Sequence, residues 1–227
     1  MKRLTLILAA VLLCAGLSAQ SWSDSSTDLH KYMVPAAPGA ASPDRDGFIG
    51  RWLLLDPISK PNRTNTVFTD SYIRETFGQT YFKGQLGDVL PKDGSKVKKT
   101  KLRWHAMDSK LFNVKLFRFA TNLAPEHYGV IFWAATVINC EEDIPDVRLF
   151  AGSNSASMWW VNGEEALIMS GDRRMVMDDC ASERLTLRKG RNVIWCAVIN
   201  GPGMSDFCAR FLDSGGNPVR NFTITVQ

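Results

Sequence analysis

The first chemistry this sequence offers is carbohydrate recognition. Trp133 and Trp159 stand inside apolar runs, Tyr128 begins one, and Arg173, Arg174 and Asn200 fall in turn-rich segments. A flat ring stacks on the C–H face of a sugar, while amide and guanidinium groups grip its hydroxyls. These residues form the candidate carbohydrate-binding set. Core packing or an ordinary surface charge is the competing assignment for each.

Hydrolytic chemistry is less well provided for. A serine esterase needs a nucleophile on a strained turn, a histidine base and an acid that orients the base. The GxSxG pattern of a nucleophile elbow is absent. His30, His105 and His127 are the only histidines, and each stands alone in its segment. Gly152-Ser153-Asn154 has the look of a nucleophile turn, but no helix is expected after it. A glycosidase needs paired carboxylates across a cleft. Glu141-Glu142-Asp143 and Asp178-Asp179 supply carboxylates, but both runs read as solvated loops. No catalytic residue is assigned on this basis.

Metal and cofactor sites are equally sparse. Asp44-Arg45-Asp46-Gly47 echoes the start of a calcium loop but lacks the later ligands, so it reads as a turn. No cofactor is assigned, and a structural calcium near Asp44 and Asp46 is kept only as an alternative. No pair of cysteines has CxxC spacing, which argues against zinc.

The elements that must position these residues are strands. Ala156 to Ala166 reads as strand, turn, strand, because Asn162-Gly163 suits a type I′ turn with positive φ at both central residues. Trp159 and Trp160 are adjacent in the first strand and must point to opposite faces. One is expected in the core and the other under a loop or exposed. Further strands are expected at Phe48–Leu55, Leu111–Phe119, Tyr128–Ile138, Asp146–Phe150, Arg184–Leu187, Val193–Ile199, Phe207–Phe211 and Asn221–Val226. Asp70 to Phe77 is expected as a short helix, and Gly84 to Gly94 as loop. Lys96, Lys98, Lys99 and Lys101 read as a solvated strand face or a lysine-protected edge. Turns recur at short intervals and helical periodicity is nearly absent, the pattern of an all-β sandwich.

The chain has 227 residues, 45% of them hydrophobic, and a formal net charge of +4. That length suffices for one domain with a substantial core. The charge is too small to argue for nucleic acid, and no aromatics alternate with the lysines. Residues 1–20 read as an export leader, with Lys2 and Arg3 ahead of the apolar run Leu4 to Leu13 and small residues near Ala19. Residues 21–44 read as a linker or lightly ordered arm, and 45–227 as the β-sandwich module. Beyond the leader no transmembrane segment is expected, so the chain is expected to be periplasmic, cell-surface or secreted. Cys14 falls in the leader, and the large Leu13 before it disfavours lipidation. Cys140, Cys180, Cys196 and Cys208 remain. In an oxidising compartment they permit two disulfides, or they are free buried thiols. If Pro202 centres a hairpin, Cys196 and Cys208 lie opposite one another.

Several segments taken together resemble a known family. They are Arg51-Trp-Leu-Leu-Leu55, Trp160-Val-Asn-Gly163, Leu187-Arg-Lys-Gly-Arg-Asn-Val193, Ala197-Val-Ile-Asn200 and Phe207-Cys-Ala-Arg-Phe-Leu-Asp213. Their order is similar to that in the galactose-binding-domain-like jelly roll, and closest to the N-terminal module of exported bacterial acetylxylan esterases. The resemblance spans about Asp46 to Val226. It implies a jelly-roll β-sandwich and a non-catalytic, carbohydrate-binding or accessory role in polysaccharide degradation, xylan in particular. The implied partners are a plant polysaccharide or oligosaccharide and a separate catalytic domain or protein. Two other roles compete: a component of an esterase or glycoside hydrolase, and a protein-docking domain.

Overall fold

The computed structural model describes residues 27–62, 64–123 and 128–227. It begins with α1 (Thr27–Tyr32), β1 (Met33–Pro35), β2 (Arg51–Leu55), β3 (Ile58–Ser59) and α2 (Asp70–Phe77). Next come β4 (Trp104–Ser109), α3 (Leu116–Leu123), β5 (Val130–Cys140), β6 (Ile144–Ser153), β7 (Ala156–Val161) and β8 (Glu164–Met169). The chain closes with β9 (Cys180–Ala181), β10 (Leu185–Leu187), β11 (Gly190–Ile199), β12 (Phe207–Leu212) and β13 (Phe222–Thr225).

The strands form two antiparallel sheets, one of nine strands and one of four. The main path of the large sheet runs β1-β4-β2-β5-β11-β7-β8, with β3 and β13 also paired to β5. The small sheet runs β10-β6-β12, with β9 paired to β6. The sheets face each other across a core in which Trp52 and Trp159 of the large sheet meet Phe207 of the small one, ring edge to ring face at 5.0 and 5.5 Å. This is the all-β sandwich that the turn spacing predicts.

The organising hairpin forms as expected. Asn162 and Gly163 join β7 to β8 with φ of 54° and 82°. The Asn162 carboxamide also reaches sideways, donating to Asn192 Oδ1 at 3.0 Å and accepting from the Val193 N–H at 2.9 Å. Asn192 Oδ1 in turn accepts the Arg188 N–H at 2.9 Å. The two turn motifs quoted above therefore lock each other in place.

The large sheet differs from expectation in one consequential way: both of its faces are covered. Alternation along β11 sends Ile194, Cys196 and Val198 toward the small sheet, and Val193, Trp195, Ala197 and Ile199 into a second core. Trp159 and Trp160 divide the same way, and both are buried. The second core is roofed by α2 and the segment from Gly78 to Arg103, whose Phe77, Phe82, Leu90 and Val97 are buried against the sheet.

Other expectations shift locally. The run at Leu111–Phe119 becomes α3 rather than a strand; Leu116, Phe119 and Ala120 are spaced for one helical face, and that face is buried. Lys96 to Lys101 form no named strand. Val97 N–H bonds to Leu102 O at 2.9 Å, Thr100 N–H to Val97 O, and Lys99 takes a φ of 65°, so the lysines ride on a tight projecting loop. The stretch expected as an arm contributes α1 and β1, with Leu29 and Met33 buried.

Gly201-Pro202-Gly203 does not close a hairpin. β11 pairs with β5 and β7, whereas β12 crosses to the other sheet and pairs with β6. Cys196 lies opposite Ala134 and Trp159, and Cys208 lies opposite Gly152. The expected Cys196–Cys208 opposition is therefore corrected. Cys140, Cys180, Cys196 and Cys208 are all free thiols in this structure. Burial pushes the Cys208 thiol up to about 12, and that of Cys196 well above its usual range.

Candidate functional site

Two regions compete for the role of a site: the loops at one end of the sandwich, and a cleft on the outer face of the large sheet.

The loop end gathers most of the sequence-predicted set. β5 starts there and β11 stops there, with Ile199 opposite both Ile131 and Ala156. Phe207, near the start of β12, pairs with Ser153 at the end of β6. Tyr128, Asn200, Arg173 and Arg174 therefore lie in neighbouring loops. Their keystone is Asn65, which sequence reasoning missed because a lone asparagine in a polar stretch gives no signal. Its Oδ1 accepts the Gly201 N–H at 3.0 Å, and its Nδ2 donates to Asp172 Oδ1 at 2.7 Å. Gly171 N–H bonds to Phe68 O, Ser155 N–H to Arg173 O, and Asn154 N–H to Asp206 O.

Most polar groups here are occupied in holding loops. Asn200 is 0% exposed; its Oδ1 accepts the Val130 N–H at 3.0 Å and its amide donates to Ser205 Oγ. It is a strand-end clamp rather than a ligand group. Arg173 pairs with Asp179 at 2.7 Å and also donates to Ser170 O and Cys180 Sγ. Asp178 pairs with Arg210. Lys115 Nζ donates to Asp206 Oδ2 at 2.7 Å. Asp206 Oδ1 is buried without a hydrogen-bond partner among the described residues, and desolvation raises the carboxyl above its ordinary value of 3.8 despite the lysine. Arg174 is exposed. Tyr128 is 51% exposed, its ring leaning on Phe117 at 5.6 Å.

The two tryptophans of the expected set are corrected outright. Trp133 and Trp159 are both 0% exposed. Trp133 stacks on Trp160 at 5.6 Å in the second core. Trp159 meets Trp52 and Phe207 in the first and donates its indole N–H to Ser157 Oγ at 3.0 Å. Neither offers a face to a ligand. Trp133 is covered by the roof over the large sheet, and Trp159 by the small sheet packed on the opposite face.

Candidate hydrolytic groups are also accounted for. Ser153 is buried and its hydroxyl bonds to Ser157 Oγ at 2.8 Å. His105 is buried against Asp56 at 2.8 Å. His30 is exposed on α1, and His127 lies outside the described residues. Asp143 Oδ1 accepts the Lys189 N–H. Asp44 Oδ1 accepts the N–H groups of Asp46 and Phe48, as the turn reading expects. Among the described residues no group of three or more His, Cys, Asp or Glu is placed to hold a metal.

The cleft was not foreseen. It has a volume of about 720 Å³ and lies between the Thr80–Gly84 segment and the projecting lysine loop. Tyr81, Phe82, Pro91, Val97 and Trp104 make its apolar walls. Thr80 and Ser95 add hydroxyls, and Lys83, Lys96 and Lys98 stand on its rim. Its walls are braced from behind. Phe82 packs edge-on to Trp104 at 5.0 Å and Trp133 at 5.5 Å, and stacks on Trp195 at 5.7 Å. Tyr81 donates its hydroxyl proton to Thr76 O at 2.9 Å, and partial burial pushes its phenol up. Gln85 bridges Tyr81 N–H, Phe77 O and Gln79 O. Trp195 ties the segment to the sheet by donating to Gly87 O at 3.1 Å. The signal available in sequence was the sandwiching of Tyr81-Phe82 between helix and lysine run, which reads as ordinary loop without the roof.

With this geometry in hand, comparison with known proteins adds little. No protein-family model and no curated protein matches the chain. Among solved structures, a PA14 sugar-binding domain from an RTX adhesin aligns at TM-score 0.41 and 9% identity, covering 77% of this chain and 96% of that one. The PA14 domain of an antifreeze protein aligns at TM-score 0.39 and 10% identity, covering 82% and 93%. A beta-glucosidase from Kluyveromyces marxianus aligns at 0.38 and 14% identity, covering 79% of this chain and 20% of that one. Similarity this distant leaves the ligand to be read from the chain's own geometry.

Proposed function

We propose that this protein is an exported, non-catalytic carbohydrate-binding module, and that its ligand seat is the cleft lined by Tyr81, Phe82 and Trp104. The observation that carries this reading is the pairing of a rigid apolar floor with hydroxyl and ammonium groups around its rim. A pyranose has the complementary form: an apolar C–H face edged by hydroxyls. A preformed cleft of this kind orders few side chains on binding, which keeps the entropic cost low. The resemblance of the Trp160-Val-Asn-Gly163 hairpin and the Leu187–Val193 turn to acetylxylan esterase modules supports the same ligand class, and makes acetylated xylan a polymer to include.

The test is calorimetric titration of the purified protein with a panel of neutral and acidic oligosaccharides, including xylo-oligosaccharides with and without acetyl groups. Saturable binding is expected, lost in Tyr81→Ala and kept in Tyr128→Ala, with near-ultraviolet circular dichroism confirming that both variants are folded. Loss in Tyr128→Ala alone would move the seat to the loop end. Silence across the whole panel would remove the carbohydrate reading.

A further inference from the structure

The rim of the cleft carries charge of one sign. Lys83, Lys96 and Lys98 line it, and no Asp or Glu does. None of the three lysines has an ion-pair partner among the described residues. The cations that hold the fold are placed differently: Arg51, Lys115, Arg173 and Arg210 each pair with a carboxylate, to Asp108, Asp206, Asp179 and Asp178. Those pairs satisfy their own charge, whereas the three rim ammonium groups converge on one cleft with no carboxylate lining it.

Resting on the carbohydrate reading, we infer that the cleft selects anionic sugars, whose carboxylate or sulfate groups meet Lys83, Lys96 and Lys98 while the C–H face packs on the aromatic floor. The floor is a sugar floor rather than a nucleobase platform. Trp104 and Phe82 are only 2% and 5% exposed, so the half-buried Tyr81 and Pro91 offer most of the apolar contact and no flat ring lies open. A nucleobase stacks on an exposed flat ring, whereas a saccharide C–H face needs only apolar contact. Ammonium groups on flexible stems are strongly hydrated point charges, suited to a solvated anion at a rim. Each such contact contributes modestly, so three together give about a tenfold preference. Salt weakens that preference, because the rim is exposed.

The experiment compares the intact protein's affinity for an oligogalacturonate, a sulfated oligosaccharide, a neutral xylo-oligosaccharide of equal length and a single-stranded oligonucleotide, at low and high sodium chloride. The expected result is about tenfold tighter binding of one or both anionic sugars than of the neutral sugar at low salt. That margin should shrink at high salt. It should also disappear in Lys83→Gln/Lys96→Gln/Lys98→Gln, which removes the three charges, while the melting temperature holds. Carboxylated and sulfated arms identify which anion is read. Equal affinity for neutral and anionic sugars overturns this inference and leaves the carbohydrate reading standing. Tightest binding to the oligonucleotide overturns it in favour of a general polyanion surface. No binding to any sugar removes both readings.

Discussion

The loop end and the cleft differ in what their polar side chains are doing. At the loop end Asn65, Asp172, Asn200, Ser205, Arg173 and Asp179 bond to one another or to backbone. The residue types suggest recognition, yet the geometry consumes them in closing loops. At the cleft the packing is done by rings and by one glutamine, and the lysines of the rim are left unpaired. Residue type alone therefore does not tell a ligand group from a loop clamp in a fold of this kind. What separates a ligand group from a clamp is whether the chain already satisfies it, because a buried polar group must be paired and a rim group need not be.

Substitutions can break or sharpen that contrast. The largest effect is expected from Trp133→Ala or Trp159→Ala. Each empties a fully buried site and should cost about 3–5 kcal/mol. Denaturant midpoints measure this, and any ligand lost in these variants reports unfolding, not a missing platform. Next comes the loop end itself. A Cβ on Gly152 would stand 1.8 Å from Val176 O, a backbone atom that cannot yield without moving its loop. Gly152→Ala should cost about 1–3 kcal/mol. Asn65→Ala removes the acceptor of the Gly201 N–H and should cost about 1–2 kcal/mol. Neither should alter ligand affinity in the folded protein; an equal loss of affinity would mean the seat is at the loop end.

A smaller effect separates the regions by pH. The Asp206 carboxyl is raised by desolvation, so the folded state binds its proton more readily than the unfolded state does. Stability contributed at this group rises as pH falls through the interval just above 3.8, and falls again as pH rises through it. Asp206→Asn should flatten that part of the thermal-stability profile; an unchanged profile would show that Lys115 fully offsets the burial. Smallest of all is the stability effect of neutralising the rim. Lys83→Gln, Lys96→Gln and Lys98→Gln should each shift stability by no more than about 0.5 kcal/mol. A larger loss by thermal melting would make these lysines structural and bring the two regions onto the same footing.

Much of the first core was legible. The Asn162-Gly163 turn and the apolar runs of β2, β7 and β11 each carry a local signal that the fold obeys. The helix at Asp70–Phe77 was legible too: Thr69 Oγ1 accepts the Tyr72 N–H, and the Gly78 N–H closes on Arg74 O. The second core was not legible, because its roof is built mainly of loops. Phe82, Leu90 and Val97 stand in short apolar patches or alone among polar and turn residues, so no period announces that they are buried. Missing the roof had three consequences. It left Trp133 as a platform, left open whether one of Trp159 and Trp160 is exposed or lies under a loop, and turned the lysine loop into a strand. The crossing of β12 to the other sheet was hidden for a related reason: Gly201-Pro202-Gly203 suits a hairpin and a bridge between sheets equally well.

The doubly covered sheet has a consequence for descent. β11, like β2, β4, β5 and β7, is a wall shared by two cores: Trp195 supports the cleft, and Cys196, one residue on, supports the sandwich. The roof is carried by one continuous stretch of chain and touches none of the small sheet's pairings. Its rim charges can therefore change while the wall behind them holds still. Among relatives of this chain, variety should collect between Gly78 and Arg103, and constancy in the strands that roof rests upon.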